Sequence, residues 1–263
     1  MAVTDPYAHL ADRFVAHYDT LRGAVRYVLV GRQLDAHLPP PPAHIADVGG
    51  GAGQRAVDLA RRGYEVSLVD PSVEMLGRAR VALDAEDADI ASRVRVLHGR
   101  GEDAPGLVGA EVDAVLCHGV VMYLDDPTAL IAELATLAQP GGLVSILAKN
   151  ADALAVRPAL QGRWRDSLAA FDADRDEGGL GVVTRADTVA GLTQQLHAVG
   201  VDVVAWYGVR AFTDHLTGVR PGDDLNDIVA VEWEAGRRDP YRRLARLFHV
   251  VGVKAGAPRT GSA

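Results

Sequence analysis

The sequence predicts an α/β fold, a doubly wound, mostly parallel sheet of seven strands that is preceded by helices and interrupted by a cap. Short apolar runs alternate with amphipathic segments between residues 43 and 149. A glycine-rich turn joins the first apolar run to the first amphipathic segment, and an acidic residue ends the second run. Strands that alternate with helices favour parallel pairing through right-handed crossovers, so these observations together predict the doubly wound sheet.

The composition excludes several classes of protein. The chain has 263 residues, of which 48% are hydrophobic and 24% charged, as is usual for a globular domain. Its formal net charge of −8 gives the surface as a whole no attraction for nucleic acid. Cys117 is the only cysteine, which excludes an intramolecular disulfide and a cysteine-rich metal site. No apolar stretch approaches the ~18 residues of a membrane helix, so we expect a soluble, cytoplasmic protein without a membrane partner.

The first 42 residues are predicted to form a helical lid and a connector. Apolar residues recur at helical spacing over 7–18 and again over 23–38. The four prolines at 39–42 cannot continue a helix and form a stiff spacer that leads into the first strand.

The stretch IADVGGGAGQRAVDLARRGYEVSLVD, residues 45–70, predicts a binding site for an adenosine-bearing cofactor. Its loop glycines are Gly49, Gly50, Gly51 and Gly53. They allow a tight strand-to-helix turn that presents bare backbone N–H groups to a ligand. Asp70 follows the second strand, where a carboxylate can accept both ribose hydroxyls, and Pro71 opens the next helix. Gln54 stands where a dinucleotide fingerprint needs a small residue, and Asp47 would repel a pyrophosphate.

Three more predicted strands follow, VRVLH at 94–98, VDAVLCH at 112–118 and LVSILAK at 143–149. The loop GRGEDAP between the first two lies at a carboxyl strand end, where Glu102 or Asp103 could accept the adenine amino group. A helix over 126–137 is predicted to end at QPGG, residues 139–142. Residues 43–149 therefore form the predicted cofactor-binding half of the sheet.

The segment 150–186 breaks the alternation and is predicted to be an inserted cap, mobile at Gly178, Gly179 and Gly181. Residues 187–254 restore the pattern with a helix over 187–198, a strand over 201–207, a helix near 223–235 and a final strand in LARLFHVVGVK. The tail 255–263 is predicted to be disordered.

The spacing from Asp47 through the glycines resembles motif I of the class I S-adenosylmethionine-dependent methyltransferases, a Rossmann-like family. GAVRYVLVGRQLD at 23–35, DVGGGAGQ at 47–54, LCH at 116–118, GVRAFTDHL at 208–216 and DPYRRLARLFHV at 239–250 together resemble the bacterial tRNA 5-carboxymethoxyuridine methyltransferase group. This resemblance implies S-adenosylmethionine as the cofactor and an antiparallel last strand. It also implies cofactor contacts at Arg26, Gly49, Gly50, Asp70, Gly101, Glu102 and His118.

The choice of catalytic candidates depends on the methyl acceptor. Methyl transfer from a sulfonium is an in-line displacement that mainly needs the nucleophile held about 3–3.5 Å from the methyl group. A carboxylate acceptor needs only a cation to position it, and Arg210 and Arg246 are the candidates. A hydroxyl or amine needs a base, for which His118, Tyr123 and His215 are available. The nine histidines show no metal-ligand spacing, so no metal is predicted.

Three functions remain as alternatives. The acidic charge, and the run DADRDEGG in the cap, favour a methyltransferase that acts on a small-molecule acid or alcohol, since anions weaken the binding of RNA. The end motifs favour methylation of the carboxylate of a modified tRNA wobble uridine. A protein that binds S-adenosylmethionine without catalysis is the third alternative. The sequence predicts no oligomeric state.

Overall fold

The computed structural model describes residues 11–178 and 181–256. Its strands are β1 (His44–Val48), β2 (Glu65–Asp70), β3 (Val94–His98), β4 (Val112–His118), β5 (Ala138–Lys149), β6 (Arg175–Glu177), β7 (Val183–Arg185), β8 (Val201–Val209) and β9 (Leu247–Lys254). Seven of them form one sheet in the order β3-β2-β1-β4-β5-β9-β8, and β6 pairs with β7 in a separate hairpin. The pairs among β1 to β5 are parallel, whereas β9 is antiparallel to both of its neighbours. The predicted fold class is confirmed.

The helices cover both faces of the sheet. They are α1 (Ala11–Tyr18), α2 (Leu21–Asp35), α3 (Gln54–Arg61), α4 (Val73–Asp84), α5 (Ala88–Ser92), α6 (Ala104–Val108), α7 (Thr128–Leu137), α8 (Val156–Leu160), α9 (Trp164–Ala170), α10 (Val189–Ala198) and α11 (Leu225–Arg237). Side-chain caps fix where several of them begin. The hydroxyls of Thr20 and Ser72 accept hydrogen bonds from the backbone N–H groups of Gly23 and Met75, which satisfies donors that the first helical turn leaves unpaired.

Alternate residues of each central strand enter two separate cores. On β4, Leu116 packs in the core beneath α2, α3 and α4, whereas Val115 packs in the core beneath α6, α7 and α10. On β5, Leu147 packs in the first of these cores and Val144 packs in the second. Strands that are buried on both faces need continuous apolar runs, as the sequence shows, and crossovers on both faces make the sheet doubly wound.

Several boundaries differ from the predicted ones. β5 begins at Ala138, so QPGG belongs to the strand, and a register shift opposite Val112 and Ala114 accommodates the extra residues. The second helix begins at Leu21 because Thr20 caps it. The acidic run that follows α4 contributes residues to the short helix α5. The predicted helical residues 7–10, Gly179 and residues 257–263 of the tail lie outside the described residues.

The parallel strands place their carboxyl ends at one edge of the sheet, and the strand order reverses between β1 and β4. Such a reversal leaves a crevice that open α/β sheets use for ligands. The helix α1, the hairpin β6–β7 and the loop after β8 contribute residues to the same edge. Within the described residues, no helix is long and apolar enough to cross a membrane.

Candidate active site

The glycine loop connects β1 to α3 beside the crevice. Gly49, Gly51 and Gly53 have φ values of 75°, 60° and 77°, a region that residues with a Cβ rarely adopt. A Cβ on Gly50 would lie 2.5 Å from Asp47 Oδ2 and 2.4 Å from Leu68 Cδ1. The loop therefore has no room for a side chain at Gly50 and presents its backbone to the crevice.

Asp70 ties the glycine loop to the end of β2. Its Oδ2 accepts a hydrogen bond from Gly51 N at 2.9 Å, and its Oδ1 accepts one from Ser72 N at 2.9 Å. The side chain is buried and lines a cavity of about 240 Å³. The predicted residues Pro71, Gly101 and Glu102 line the same first cavity, together with the apolar side chains of Val48, Met75, Val120 and Leu130. This mixture of apolar walls and carboxylates suits a nucleoside.

A narrow space between the loop and α2 adjoins the first cavity, and Asp47, Gly50, Arg26 and His118 line it. Asp47 is buried, and its Oδ2 has no hydrogen-bond partner among the described residues. Burial raises the pKa of this carboxyl to about 7, although the charge of Arg55 opposes the shift. Arg26 Nη2 donates to the backbone oxygen of His118 at 3.5 Å. The carboxyl group of Asp47 and the guanidinium group of Arg26 therefore both line this space.

A second cavity of about 160 Å³ lies beside the first and shares Gly49, Gly51 and Tyr123 with it. It is strongly cationic. Six side chains, which we call the cation cluster, line it: Arg22, Arg26, Lys149, Arg157, Arg210 and Arg246. They come from α2, the end of β5, α8, the loop after β8 and the start of β9, so only the folded chain brings them together.

Two carboxylates neutralise part of the cation cluster. Asp214 Oδ1 lies 3.2 Å from Arg210 Nη2, and Asp214 Oδ2 lies 3.6 Å from Arg157 Nη1. Asp176, on the hairpin, pairs with Arg246 and lies 3.2 Å from Arg157 Nη2. Because two acids face six cations, the cavity keeps a surplus of positive charge.

Donors of the cluster remain unpaired. Within the described residues, Nε of Arg22, Nε of Arg210 and Nη1 of Arg246 are buried without a hydrogen-bond partner. Burial lowers the pKa of Arg210 to about 10 and that of Arg246 to about 9. Burial, together with the charges of Arg246 and Arg157, lowers the pKa of Lys149 to about 7. Six cations against two carboxylates leave positive charge around this cavity, which favours the binding of an anion.

Arg210 has an unusual backbone that its surroundings hold in place. Its φ is 65°, and it is the only described residue other than glycine with a positive φ. The next three residues donate their backbone N–H groups to the carboxylate of Glu232 on α11, at 2.7 Å from Ala211, 3.0 Å from Phe212 and 2.8 Å from Thr213. Strained residues persist where their surroundings fix them, and they are common at functional sites.

The structure brings together most of the predicted site residues. Arg26, His118, Tyr123, Arg210 and Arg246 line the second cavity. Three predicted residues, Gly53, Asp103 and His215, line neither of the two cavities nor the narrow space. Gly53 is the N-cap of α3, and a Cβ on it would lie 3.0 Å from Ala79 Cβ. His215 lies behind the arginines, in a space of about 10 Å³, so the structure does not bring it to the second cavity as a base.

The sequence reasoning missed Arg22, Lys149, Arg157, Asp176, Asp214 and the cavity-lining His17. Two of these had a signal. Arg22 precedes Arg26 by four residues on one helix, and Lys149 ends a predicted strand at the ligand edge. Arg157 and Asp176 lie in the cap, where no pattern predicts which side chains turn inwards. Among the described residues, no three His, Cys, Asp or Glu side chains form a group that could hold a metal ion.

Comparison with known proteins agrees with this geometry. A family model of a methyltransferase domain matches residues 46–146, which run from β1 into β5 and include the glycine loop and Asp70. A SAM-dependent methyltransferase from Thermotoga maritima, described as a possible histamine N-methyltransferase, has the same fold, with a TM-score of 0.59 and 15% identity over 94% of this chain and 98% of that one. The matched residues form a methyltransferase domain, and the sheet has the fold of the class I S-adenosylmethionine-dependent methyltransferases.

Relatives of this chain have different activities. The tRNA 5-carboxymethoxyuridine methyltransferase of Escherichia coli (strain K12) is 28% identical over 250 residues, 93% of this chain and 94% of that protein. The ubiquinone biosynthesis O-methyltransferase of Xanthomonas axonopodis pv. citri (strain 306) is 31% identical over 117 residues, 44% of this chain and 47% of that protein. Only the first similarity extends over the elements that carry the cation cluster.

The residues of the methyltransferase fit S-adenosylmethionine, the cofactor of its family. The first cavity can take the adenosine, with Asp70 beside the ribose and Glu102 near the base. The unpartnered Asp47 Oδ2 and the guanidinium of Arg26 match the ammonium and the carboxylate of the methionine moiety. A Cβ on Gly50 would fill the space beside Asp47.

Proposed function

We propose that this methyltransferase transfers the methyl group to a carboxylate oxygen of an anionic acceptor bound in the second cavity. The observation that carries the proposal is the surplus of positive charge around this cavity, which has six cations against two carboxylates. An acceptor carboxylate would supply the complementary negative charge.

Neither histidine that lines this cavity suits a hydroxyl or amine acceptor, which would need a base. Burial lowers the pKa of His17 to about 3, with a further contribution from the charge of Arg210. His118 Nε2 is engaged with Ser145 Oγ at 2.8 Å. A carboxylate is already ionised at neutral pH and needs neither residue as a base.

The chemistry that follows is simple. Bound S-adenosylmethionine supplies a methyl group on a sulfonium, a leaving group that needs no activation. A carboxylate oxygen forms the new bond to the methyl carbon while the S–CH₃ bond breaks and its electron pair stays on sulfur. No proton moves, and the products are a neutral ester and a thioether. The cation cluster would bind and orient the carboxylate, and Tyr123 lines both cavities.

Our first candidate for the group that carries this carboxylate is 5-carboxymethoxyuridine in tRNA. The support is the 28% identity to the Escherichia coli enzyme, which extends over 93% of this chain and therefore includes the loop after β8 and the start of β9. A free small-molecule acid is the second candidate. It is favoured by the formal net charge of −8 and by the acids Asp172, Asp174, Asp176 and Glu177 in the cap.

The test uses S-adenosylmethionine with a labelled methyl group and three acceptors: undermodified tRNA with the free carboxylate, the same tRNA digested to nucleosides, and a nuclease-treated metabolite extract. We expect label in the intact tRNA, released by mild alkali as an ester is. Label only in the metabolite fraction would support the small acid. Alkali-stable label would contradict carboxylate transfer, and cofactor binding with no label in any acceptor would indicate a non-catalytic binding protein.

The pH dependence of acceptor use is expected to follow Lys149. Its pKa of about 7 means that it carries charge below that pH and loses it above. Loss of a cation from the cavity weakens the binding of an anion, so kcat/KM for the carboxylate acceptor should fall about tenfold between pH 6 and pH 9 at saturating cofactor.

The control for this prediction is Lys149→Met. This variant should show a low kcat/KM at pH 6 and little change up to pH 9, because Arg210 and Arg246 keep their charge over most of that range. A Lys149→Met profile as steep as that of the unmodified chain would assign the titration to another group.

A further inference from the structure

A chain of buried polar side chains runs from His118 into the sheet and away from the cofactor. His118 Nε2 lies 2.8 Å from Ser145 Oγ on β5, and Ser145 Oγ lies 2.6 Å from His249 Nε2 on β9. His249 Nδ1 lies 2.8 Å from Gln33 Oε1 on α2. Ser145, His249 and Gln33 are almost completely buried, with exposed fractions of 0%, 0% and 1%.

The direction of every hydrogen bond in this chain is fixed from its far end. Gln33 Nε2 faces the backbone oxygen of Gly208 at 3.5 Å, and a carbonyl can only accept. Gln33 therefore turns its own oxygen towards His249, whose Nδ1 must donate. Burial lowers the pKa of His249 to about 3, so this ring is neutral and its Nε2 can only accept. The reverse arrangement would place two acceptors against each other at Gln33.

The direction of the hydrogen bond between Ser145 and His118, which lines the cavity, follows in the same way. Ser145 Oγ donates its proton to His249 Nε2 and so accepts from His118 Nε2, which must carry a hydrogen. Burial, together with the charges of Arg55 and Arg26, lowers the pKa of His118, which favours its neutral form. A neutral ring with a proton on Nε2 has a lone pair on Nδ1, and this is the ring nitrogen left for the ligand.

We infer that Ser145, His249 and Gln33 are positioning residues that hold His118 in one tautomer, with Nδ1 as an acceptor for the ammonium group of the methionine moiety of the cofactor. His118 lines the narrow space beside Asp47 and Arg26. In that space Arg26 suits the cofactor carboxylate, so the acceptors, Asp47 Oδ2 and His118 Nδ1, are left for the ammonium. The inference needs only the cofactor and is independent of the acceptor proposed above.

This series of hydrogen bonds fixes the ring of His118 and does not conduct protons. It ends at an amide and a backbone carbonyl inside the protein, and neither can take up or release a proton near neutral pH. His118 consequently has no route by which to pass a proton to solvent through Ser145. This agrees with a reaction that moves no proton.

The first experiment reads the tautomer directly. In protein with ¹⁵N-labelled histidine, the His118 signals are assigned by their loss in His118→Asn. We expect a protonated Nε2 and a bare Nδ1 between pH 6 and pH 8. In Ser145→Ala this preference should be lost, because nothing then accepts from Nε2. A proton on Nδ1 in the unmodified chain would overturn the inference.

The second experiment measures the Kd of S-adenosylhomocysteine by calorimetry between pH 6 and pH 8. Ser145→Ala should weaken binding about tenfold at pH 8 and more at pH 6, where the released ring can take up a proton and repel the ammonium. The groups around His118 that carry or can take up charge are Asp47, Arg26, Arg55 and His249. Ser145→Ala leaves Asp47, Arg26 and Arg55 in place but also releases His249 Nε2, so the ratio of the two Kd values is interpreted together with the tautomer measured for His118.

Two matched variants separate positioning from simple loss of packing. Ser67→Ala removes another fully buried strand serine bound to a histidine ring, at 2.9 Å from His44 Nε2, but this pair lines none of the cavities described above. The Kd of Ser67→Ala for S-adenosylhomocysteine should stay within about twofold of that of the unmodified chain. Ser145→Thr keeps the hydroxyl and should restore the Kd and the tautomer. The inference would be contradicted if Ser67→Ala and Ser145→Ala lost affinity equally while thermal unfolding showed that both variants are folded.

Discussion

Asp70→Asn is expected to weaken binding of S-adenosylmethionine on the order of 100-fold while the sheet remains folded. The carboxylate has two tasks that an amide cannot combine. Both oxygens already accept backbone hydrogen bonds, from Gly51 N and Ser72 N at 2.9 Å each. Asparagine would turn an NH₂ group towards one of these donors, which would loosen the glycine loop and remove a charged acceptor from the proposed ribose position.

The control is Asp113→Asn at the opposite edge of the sheet. Asp113 also accepts two hydrogen bonds, from His44 N at 2.8 Å and from Gln139 Nε2 at 2.7 Å, but it lies near the start of β4, away from the cofactor. This variant should lose some thermal stability and keep its Kd. If calorimetry gave Asp70→Asn an unchanged Kd, the assignment of Asp70 to the ribose would have to be abandoned.

Glu232→Gln is expected to destabilise the protein by about 3 kcal/mol and to raise the KM for the acceptor. Glu232 is 1% exposed and accepts four hydrogen bonds, three from backbone N–H groups and one from Thr213 Oγ1 at 2.6 Å. The amide would oppose one of these donors. Arg210, whose positive φ depends on this loop, would then lose its fixed place in the cation cluster.

Glu234→Gln provides the comparison on the same helix. Glu234 is half-buried and pairs with Arg237 and Arg238 at the surface, so its replacement should leave the midpoint of thermal unfolding and the KM unchanged. Destabilisation of Glu232→Gln without any change in KM would show that the loop does not govern Arg210.

The fold was predictable from sequence because its signals are local. The apolar runs of β1 to β5, the glycine turn and Asp70 each show their role within a few residues. The cofactor side of the site was predictable for the same reason. The one extended element that sequence misplaced, β5, begins with QPGG, which normally ends a helix and here enters the sheet through a register shift opposite Val112.

The acceptor side of the site was harder to predict because its side chains come from segments that are distant in the sequence. Arg246 stands near four other arginines in the sequence, and these four, Arg237, Arg238, Arg242 and Arg243, pair with Glu234 or Asp239 at the surface. Arg246 alone turns into the cavity, because it directly precedes the buried strand β9. Asp176 belongs to the acidic run that favoured a small-molecule acceptor because anions weaken the binding of RNA, yet its carboxylate pairs with Arg246 and Arg157. Charge counted along the sequence cannot distinguish these cases.

The cation cluster also bears on how the reaction ends. Arg22, Arg210 and Arg246 have buried donors that suit a negatively charged partner, and in the proposed reaction that charge disappears when the ester forms. The enzyme would then hold its own product less tightly than its substrate, since a neutral ester leaves the same donors without a charged partner. Release would be favoured by the chemistry itself. Weak inhibition by the methyl ester, compared with the KM of the free acid, is the measurement that would show it.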